Sequence, residues 1–413
     1  ASFDGVMHVD PQARVAEVQG MTTYEHLVAA TLRYGLMPLC VPQLKTITLG
    51  GAVTGLGIES ASFRNGLPHE SVTEMDILTG NGDVLTVTGA STDPHRDLFY
   101  GFPNSYGSLG YALRLQIELE PIRRYVHLRH LPFRTAQEMT DAIARITREG
   151  EHDGRRVDFM DGTVFSAHEH YLTLGEMLDV PPSHLRGPSD YTGMQIYYRS
   201  IQQRRDDLLT THDYLWRWDT DWFWCSRAFG AQKPAIRRMW PKGKLRSDFY
   251  WKLIALDRKY AIASREARLR GKPQREIVVQ DVEVPIDRVP EFLEFFHREV
   301  GIEPVWVCPL RQRDPSQHWP LYEFDPKQTY VNIGFWSTVA LPDGVDPDEG
   351  RVNRRIEEMV TALDGRKSLY STAYYEPEEF RGIYGGAAYD ALKAAYDPQG
   401  RLLGLYDKVV RQR

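Results

Sequence analysis

Cysteine is scarce in this chain of 413 residues: Cys40, Cys225 and Cys308 lie far apart and are odd in number. No disulfide framework and no CxxC metal or redox pair is written here, so a reduced, cytoplasmic setting is the expectation. Long apolar runs are lacking too, and nothing approaches the roughly 20 residues that a membrane span needs. The first residues show no signal-peptide pattern. Charge of one sign is not in excess: the formal net charge is −6 and the pI about 6.1, which argues against a nucleic-acid partner. There is no Ser–His–Asp order and no zinc-ligand spacing; His168 and His170 stand two apart with no third ligand, so no metal is expected. What remains is an ordinary globular composition, long enough for two or three domains with an ample core.

Glycine, by contrast, is concentrated. Thr48–Gly66 reads TLGGAVTGLGIESASFRNG, with Gly50, Gly51, Gly55, Gly57 and Gly66 set among small or hydroxylic residues such as Ala52, Thr54, Ser60 and Ser62. Such a stretch has little volume to fill a core. It suits close approach to backbone, by a ligand or by a second packed element, and the residue types alone leave both readings open. Thr48 is placed to cap a short helix over Gly50–Thr54, leaving first-turn N–H groups for a phosphate or a carbonyl. A second small-residue loop, NSYGSLG at Asn104–Gly110, feeds an alternating strand, Tyr111–Leu119.

Around these loops the chain reads as α+β. Phe3–Val9 and Arg14–Gln19 are strands, and Thr22–Tyr34 is a helix with Thr22 and Glu25 as capping box and Gly35 as stop. Val72–Thr79 and Asp83–Thr88 form a hairpin about Gly80-Asn81-Gly82. After Pro121 come a strand at Arg124–Phe133 and a helix at Thr135–Arg148, again boxed by Thr135 and Glu138. A hairpin about Asp161-Gly162 is expected next. Tyr214–Trp224 (YLWRWDTDWFW) alternates aromatic and polar residues, which predicts a strand with one aromatic face: a wall for an apolar ligand, or a core strand. Lys233–Lys244 is basic, fitting an anionic lipid surface, a dinucleotide phosphate or a solvated face. Helices follow at Phe249–Arg270, Ile286–Val300, Gly350–Leu363 and Tyr384–Tyr396. Strands are expected at Glu276–Val284, Pro304–Leu310, Tyr330–Thr338 and Ser368–Ala373. Together they predict a sheet covered by helices on one side.

The glycine stretch, then VTEMDILTGNGD at Val72–Asp83 and DLFYGFPNSYGSLG at Asp97–Gly110, resembles the PCMH-type FAD-binding domain of the vanillyl-alcohol-oxidase flavoproteins. Within that superfamily GIES at Gly57–Ser60 is most similar to the delta-24-sterol reductase branch. PVWVCP at Pro304–Pro309, YVNIG at Tyr330–Gly334 and AYYEPEEF at Ala373–Phe380, with Tyr370 before it, extend the likeness along the chain.

The resemblance implies three parts: an FAD-binding domain over residues 1–121, a substrate or cap domain over 122–375, and a helical C-terminal segment over 376–413. It implies non-covalent FAD held by Thr48, Gly50, Gly51, Thr54, Gly55, Gly57, Ile58, Glu59, Ser60 and Gly66, completed by Gly107, Ser108 and Gly110. The glycines at 50 and 51 would lie near the pyrophosphate and residues 55–60 near the ring. No His or Cys stands in Thr48–Gly66 for covalent attachment, and Cys40 and Cys308 read as core thiols. The first βαβ-like subdomain of these flavoproteins has no counterpart here, so the chain by itself is expected to hold FAD weakly.

A C=C reductase needs a hydride source and a proton donor. Candidates for the donor are Tyr374, Tyr375 and Glu59, with His318 further off; Arg311 and Arg313 could take an anion. The expected function is FAD-dependent reduction of an alkene in an apolar, sterol-like molecule, with NADPH as electron donor and a place in lipid metabolism. The partner is a small apolar substrate, with a peripheral membrane contact left open and the oligomeric state unread. An oxidase or dehydrogenase of an alcohol or 2-hydroxy acid is the alternative enzyme. A non-catalytic subunit that shares FAD with a partner is the alternative of another class.

Overall fold

A computed structural model of the chain describes residues 3–241, 243–260 and 273–410. Two antiparallel sheets organise it. The first takes β1 (Val6–Asp10), β2 (Val15–Gln19), β3 (Leu36–Pro38), β4 (Val72–Thr79), β5 (Val84–Thr88) and β6 (Gly110–Pro121), in the order β1-β2-β6-β4-β5, with β3 also on β6. The second uses β7 (Tyr125–Phe133), then, past a small β8–β9 hairpin (Glu151–His152 and Arg155–Arg156), β10 (Phe159–Ser166) and β11 (Glu169–Leu178). It continues with β12 (Asp206–Thr210), β13 (Arg275–Pro285), β14 (Val305–Leu310), β15 (Tyr330–Ala340) and β16 (Arg366–Lys367). Its order is β12-β7-β11-β10-β14-β15-β13-β16.

Helices cover one face of the second sheet. The helix Ala136–Glu149 starts where Thr135 accepts the Glu138 N–H, and buries Met139, Ala142, Ile143 and Ile146, a 3.6-residue stripe. With the helices Val289–Glu299 and Arg351–Ala362 it packs on Val278, Val282, Val284, Val307, Val331, Ile333 and Phe335. Each such aliphatic side chain contributes about 1.5–3 kcal/mol on burial. The alternate residues of the same strands point to the other face, toward the first sheet.

That inner face is covered by the tryptophan-rich segment, which is not a strand. Thr210 caps a helix over Thr211–Trp216, and Asp221, Trp222 and Phe223 all take positive φ in the turns that follow. The alternation misleads because both sets of side chains are buried. Trp218, Phe223 and Trp224 join the core, while Arg217 pairs with Asp161 at 2.9 Å and Asp221 with Arg237 at 2.7 Å. Arg237 of the basic run is thereby an interior residue; Lys242 of that run lies outside the described residues.

Three further expectations change, and one lies partly outside the described residues. The Asp161-Gly162 hairpin is instead the middle of β10, because Asp161 is the buried partner of Arg217 and a Cβ on Gly162 would sit 2.6 Å from the Tyr171 carbonyl of the neighbouring strand. The first helix begins at Tyr24, one residue later than the box requires: Thr23 is its cap, while the Thr22 hydroxyl donates to the Gly5 carbonyl. The long helix is described over Ser247–Tyr260, and its expected remainder lies outside the described residues. Ser368–Ala373 is not a strand: Ser368 N–H still bonds the Asp281 carbonyl of β13, but Leu369 N–H turns away to the Tyr106 hydroxyl.

The C-terminal helices Pro377–Ile383, Gly386–Tyr396 and Leu405–Val409 return to the first sheet. Leu392 fills the space above Gly101, where a Cβ would lie 2.2 Å from its methyl, and the Tyr396 hydroxyl donates to Asp97.

Candidate functional site

The first glycine stretch divides into a packing half and an open half. Thr48 caps Leu49–Thr54 and accepts the Gly51 N–H at 3.1 Å. The donors before it are also taken, Leu49 N–H by Thr22 O at 2.9 Å and Gly50 N–H by Gly20 O at 2.8 Å. The first turn therefore has no spare donors for a phosphate, contrary to the sequence expectation. Gly50 is glycine for contact, since a Cβ there would stand 2.7 Å from Gly20 O. The Thr54 hydroxyl turns back onto Gly50 O, and Gly66 takes φ +72° over the Glu70 carboxylate that holds Leu67 N–H. Burial lifts that Glu70 carboxyl to about 7.

From Leu56 the chain is different. The N–H groups of Leu56, Gly57, Ile58 and Ser60 have no acceptor among the described residues. Gly57 and Ser60 are buried and Leu56 and Ile58 half-buried; buried backbone donors rarely stay unpaired, so this run suits a ligand with several acceptors. A side chain on Gly57 would meet Pro68 at 2.7 Å and Pro42 at 3.2 Å, which keeps the run flat. It lies in the seam between the sheets: Leu56 and Ile58 pack near Phe324, and Ser60 O accepts Met160 N–H of β10.

Glu59 is buried. Its carboxylate accepts the Ala61 N–H at 2.6 Å and the Ser60 hydroxyl at 2.9 Å, so it fixes the turn that ends the open run. Burial raises its pKa, with Arg217 opposing. Ser60 also meets the Tyr214 hydroxyl at 2.7 Å. Beside this turn, Lys45 donates to Pro42 O and Gln43 O, and burial draws its ammonium down to about 7. The Cys40 thiol, raised by burial, rests 3.6 Å from the Ser62 hydroxyl in the core.

The second loop zips onto the first: Tyr106 N–H donates to Thr54 O at 2.7 Å. Gly107 takes φ +72°, the Ser108 hydroxyl donates to Ser105 O, and a Cβ on Gly110 would stand 2.4 Å from Leu78 O. Two lysines of the C-terminal segment clamp this turn, Lys408 on Gly107 O at 3.1 Å and Lys393 on Ser108 O at 2.8 Å. Sequence reasoning missed both.

Tyr374 and Tyr375 do not join Glu59. Tyr374 donates its N–H to Glu357, and its ring lies against Gly350 under the Arg354 guanidinium, at the helix Arg351–Ala362. Tyr375 is enclosed with Phe380 and Tyr384. His318 is an exposed partner of Glu323, and Arg313 is bound to Glu118 with its N–H on Glu70.

The stretches quoted for the family likeness converge elsewhere, on the inner sheet face. The register sets Cys308 opposite Asn332, Asn332 opposite Glu283, and Gly334 between Trp306 and Asp281. Tyr370, one residue past the Leu369–Tyr106 bond, reaches into this group. Its hydroxyl donates to Asp281 at 2.7 Å and accepts the Trp336 indole N–H at 3.1 Å, while the residue is 49% exposed. Asn332 donates to the other Asp281 oxygen at 2.9 Å. Glu283 is sealed by the hydroxyls of Tyr322 and Ser368, and burial next to Asp281 lifts its carboxyl to about 8. Burial raises Asp281 as well.

Residues 1–88 match the family described as FAD binding domain. Along the chain, Delta(24)-sterol reductase homolog dhcr-24 of Caenorhabditis elegans is 24% identical over 425 residues, 99% of this chain and 78% of the relative. Delta(24)-sterol reductase of Rattus norvegicus is 25% identical over 418 residues, 98% of this chain and 76% of the relative. Cytokinin dehydrogenase 5 of Oryza sativa subsp. japonica is 24% identical over 403 residues, 90% of this chain and 69% of the relative. The likeness read from the glycine stretch is thus present from end to end, and the chain carries a PCMH-type FAD-binding domain of the oxidoreductase class. No helix among the described residues is long and apolar enough to cross a membrane.

Proposed function

We propose that this flavoprotein saturates an isolated carbon–carbon double bond in an apolar, sterol-like molecule, with NADPH as the source of electrons. The observation that carries the reading is the run of amides at Leu56, Gly57, Ile58 and Ser60 that find no acceptor among the described residues, set in the seam below an aromatic sheet face. These donors fit the polar edge of a flavin, and the small residues around them admit a flat ring. Bound there, FAD supplies the hydride. The protein's part is to exclude water with Trp218, Phe223, Trp224 and Trp336, to hold the loop with Glu59 and Ser60, and to deliver a proton. The named activity of the sterol reductase relatives supports the substrate class.

Similarity to Cytokinin dehydrogenase 5 supports a second reading, a flavin dehydrogenase or oxidase of a polar substrate. Anaerobic titration separates the two. The first reading expects flavin absorbance to bleach with NADPH and return with a sterol alkene. The second expects bleaching by an alcohol and hydrogen peroxide on admitting oxygen.

A water-insoluble substrate calls for a lipid source. The helix Pro234–Met239 presents Met239, 84% exposed, and Ile236, 38% exposed, beside Lys233 and Arg238. A peripheral contact with anionic lipid is proposed there.

A further inference from the structure

We propose that Tyr370 is the proton donor of the reduction, oriented and resupplied by Asp281; this rests on the alkene-reductase reading above. Three observations point to this pair. Tyr370 is a half-exposed residue whose hydroxyl is held between Asp281 and the Trp336 indole, so its position is fixed at the edge of open space. It is tied to the glycine loops by an unbroken path: Gly55 packs 3.5 Å from the Tyr106 ring at its Cβ position, Tyr106 accepts the Leu369 N–H at 2.9 Å, and Tyr370 follows. The sheet is also shaped for the pair, because a Cβ on Gly334 would lie 2.3 Å from Asp281 Oδ1 and 2.8 Å from the Trp336 ring.

The neighbouring acids serve less well. Glu283 is wholly buried behind Tyr322 and Ser368, Tyr375 is sealed among aromatics, and Tyr374 packs at the outer helix Arg351–Ala362. Asp281 and Glu283 stand two apart on one strand face, and like charges so close disfavour double ionisation. Burial raises both carboxyls, in the same direction as this repulsion.

The step balances as follows. Hydride, drawn from NADPH through the flavin, forms a C–H bond at one alkene carbon. The π pair takes the Tyr370 Oη proton at the other carbon. The O–H bond pair stays on Oη, which receives the proton of the Asp281 carboxyl, so no buried phenolate persists. Asp281 is left as a carboxylate, held by the Asn332 amide and the Tyr370 hydroxyl. Asp281 takes up a proton from solvent before the next turnover. In the resting state Tyr370 donates to Asp281. When the carboxyl is protonated that hydrogen bond reverses and frees the hydroxyl proton.

The test uses FAD-loaded enzyme reduced with dithionite and mixed anaerobically with a sterol bearing a double bond at position 24. Reoxidation of wild type and Tyr370→Phe is followed by flavin absorbance. The proposal expects the variant to bind FAD normally but reoxidise about 100-fold more slowly, the lower range for loss of a general acid. Reoxidation of the variant at the wild-type rate overturns the proton-donor assignment while sparing the reductase reading. A wild type that the sterol does not reoxidise overturns both. A second readout needs no turnover: in chain labelled with ¹³Cζ-tyrosine, the resonance absent from Tyr370→Phe should titrate at lower pH in Asp281→Asn. An unmoved resonance contradicts the coupling.

Discussion

Tyr106, in the second glycine loop, accepts the backbone N–H of Leu369 at 2.9 Å and so joins the cofactor domain to the segment that carries Tyr370. Its own N–H is spent on Thr54 O, which makes one residue the hinge pin of both glycine loops and the inner sheet face. Tyr106→Phe leaves the packing and strands the Leu369 amide. Loss of a buried partner costs about 1–3 kcal/mol, so the urea midpoint should fall accordingly.

The buried pair Arg217–Asp161 should behave as a unit. Asp161 also accepts the indole N–H groups of Trp218 and Trp306. Arg217→Met alone leaves a buried carboxylate and should cost about 3–5 kcal/mol, whereas adding Asp161→Asn should recover part of that loss. Urea unfolding of the singles and the double variant checks this.

Gly50 and Gly51 should differ in what an added methyl costs. Gly50→Ala forces a methyl against Gly20 O and should lower the melting temperature of the flavin-free chain, an overpacking cost of about 1–3 kcal/mol. Gly51 is exposed, with only the Thr48 hydroxyl nearby at 2.8 Å, so Gly51→Ala should disturb the flavin-free chain less. Equal melting temperatures for the two variants would contradict the division.

Glu283 gives a pH dependence with a definite sign. Its folded pKa, about 8, lies above the ordinary glutamate value, so the folded state binds the extra proton between the two. That contribution is complete below the ordinary glutamate range and is lost as pH rises toward about 8. Compared with Glu283→Gln, the wild type should therefore lose stability steadily from acid to mildly alkaline pH. Urea midpoints of both proteins across that window measure it.

Local chemistry was legible in the sequence and long-range pairing was not. The Thr135–Glu138 box, the Gly35 stop and the Asn81 turn depend on neighbours a few residues away, and they stand where expected apart from the one-residue shift at Thr23. The likeness around Gly57–Ser60 led to the FAD-binding domain. The Trp216–Trp224 alternation failed because Arg217, Asp219 and Asp221 find buried partners distant in sequence or folded back from the next turns. The Tyr370–Asp281 contact was not legible either, because the two residues lie 89 positions apart and only the fold brings them together.

The central claim is reduction of an alkene on FAD. The most direct measurement incubates the FAD-loaded chain anaerobically with NADPH and a sterol unsaturated at position 24, then analyses the sterol by mass spectrometry. The account predicts a product heavier by two hydrogens, formed only when both FAD and NADPH are present. Unchanged sterol, together with hydrogen peroxide from an alcohol in air, would contradict it.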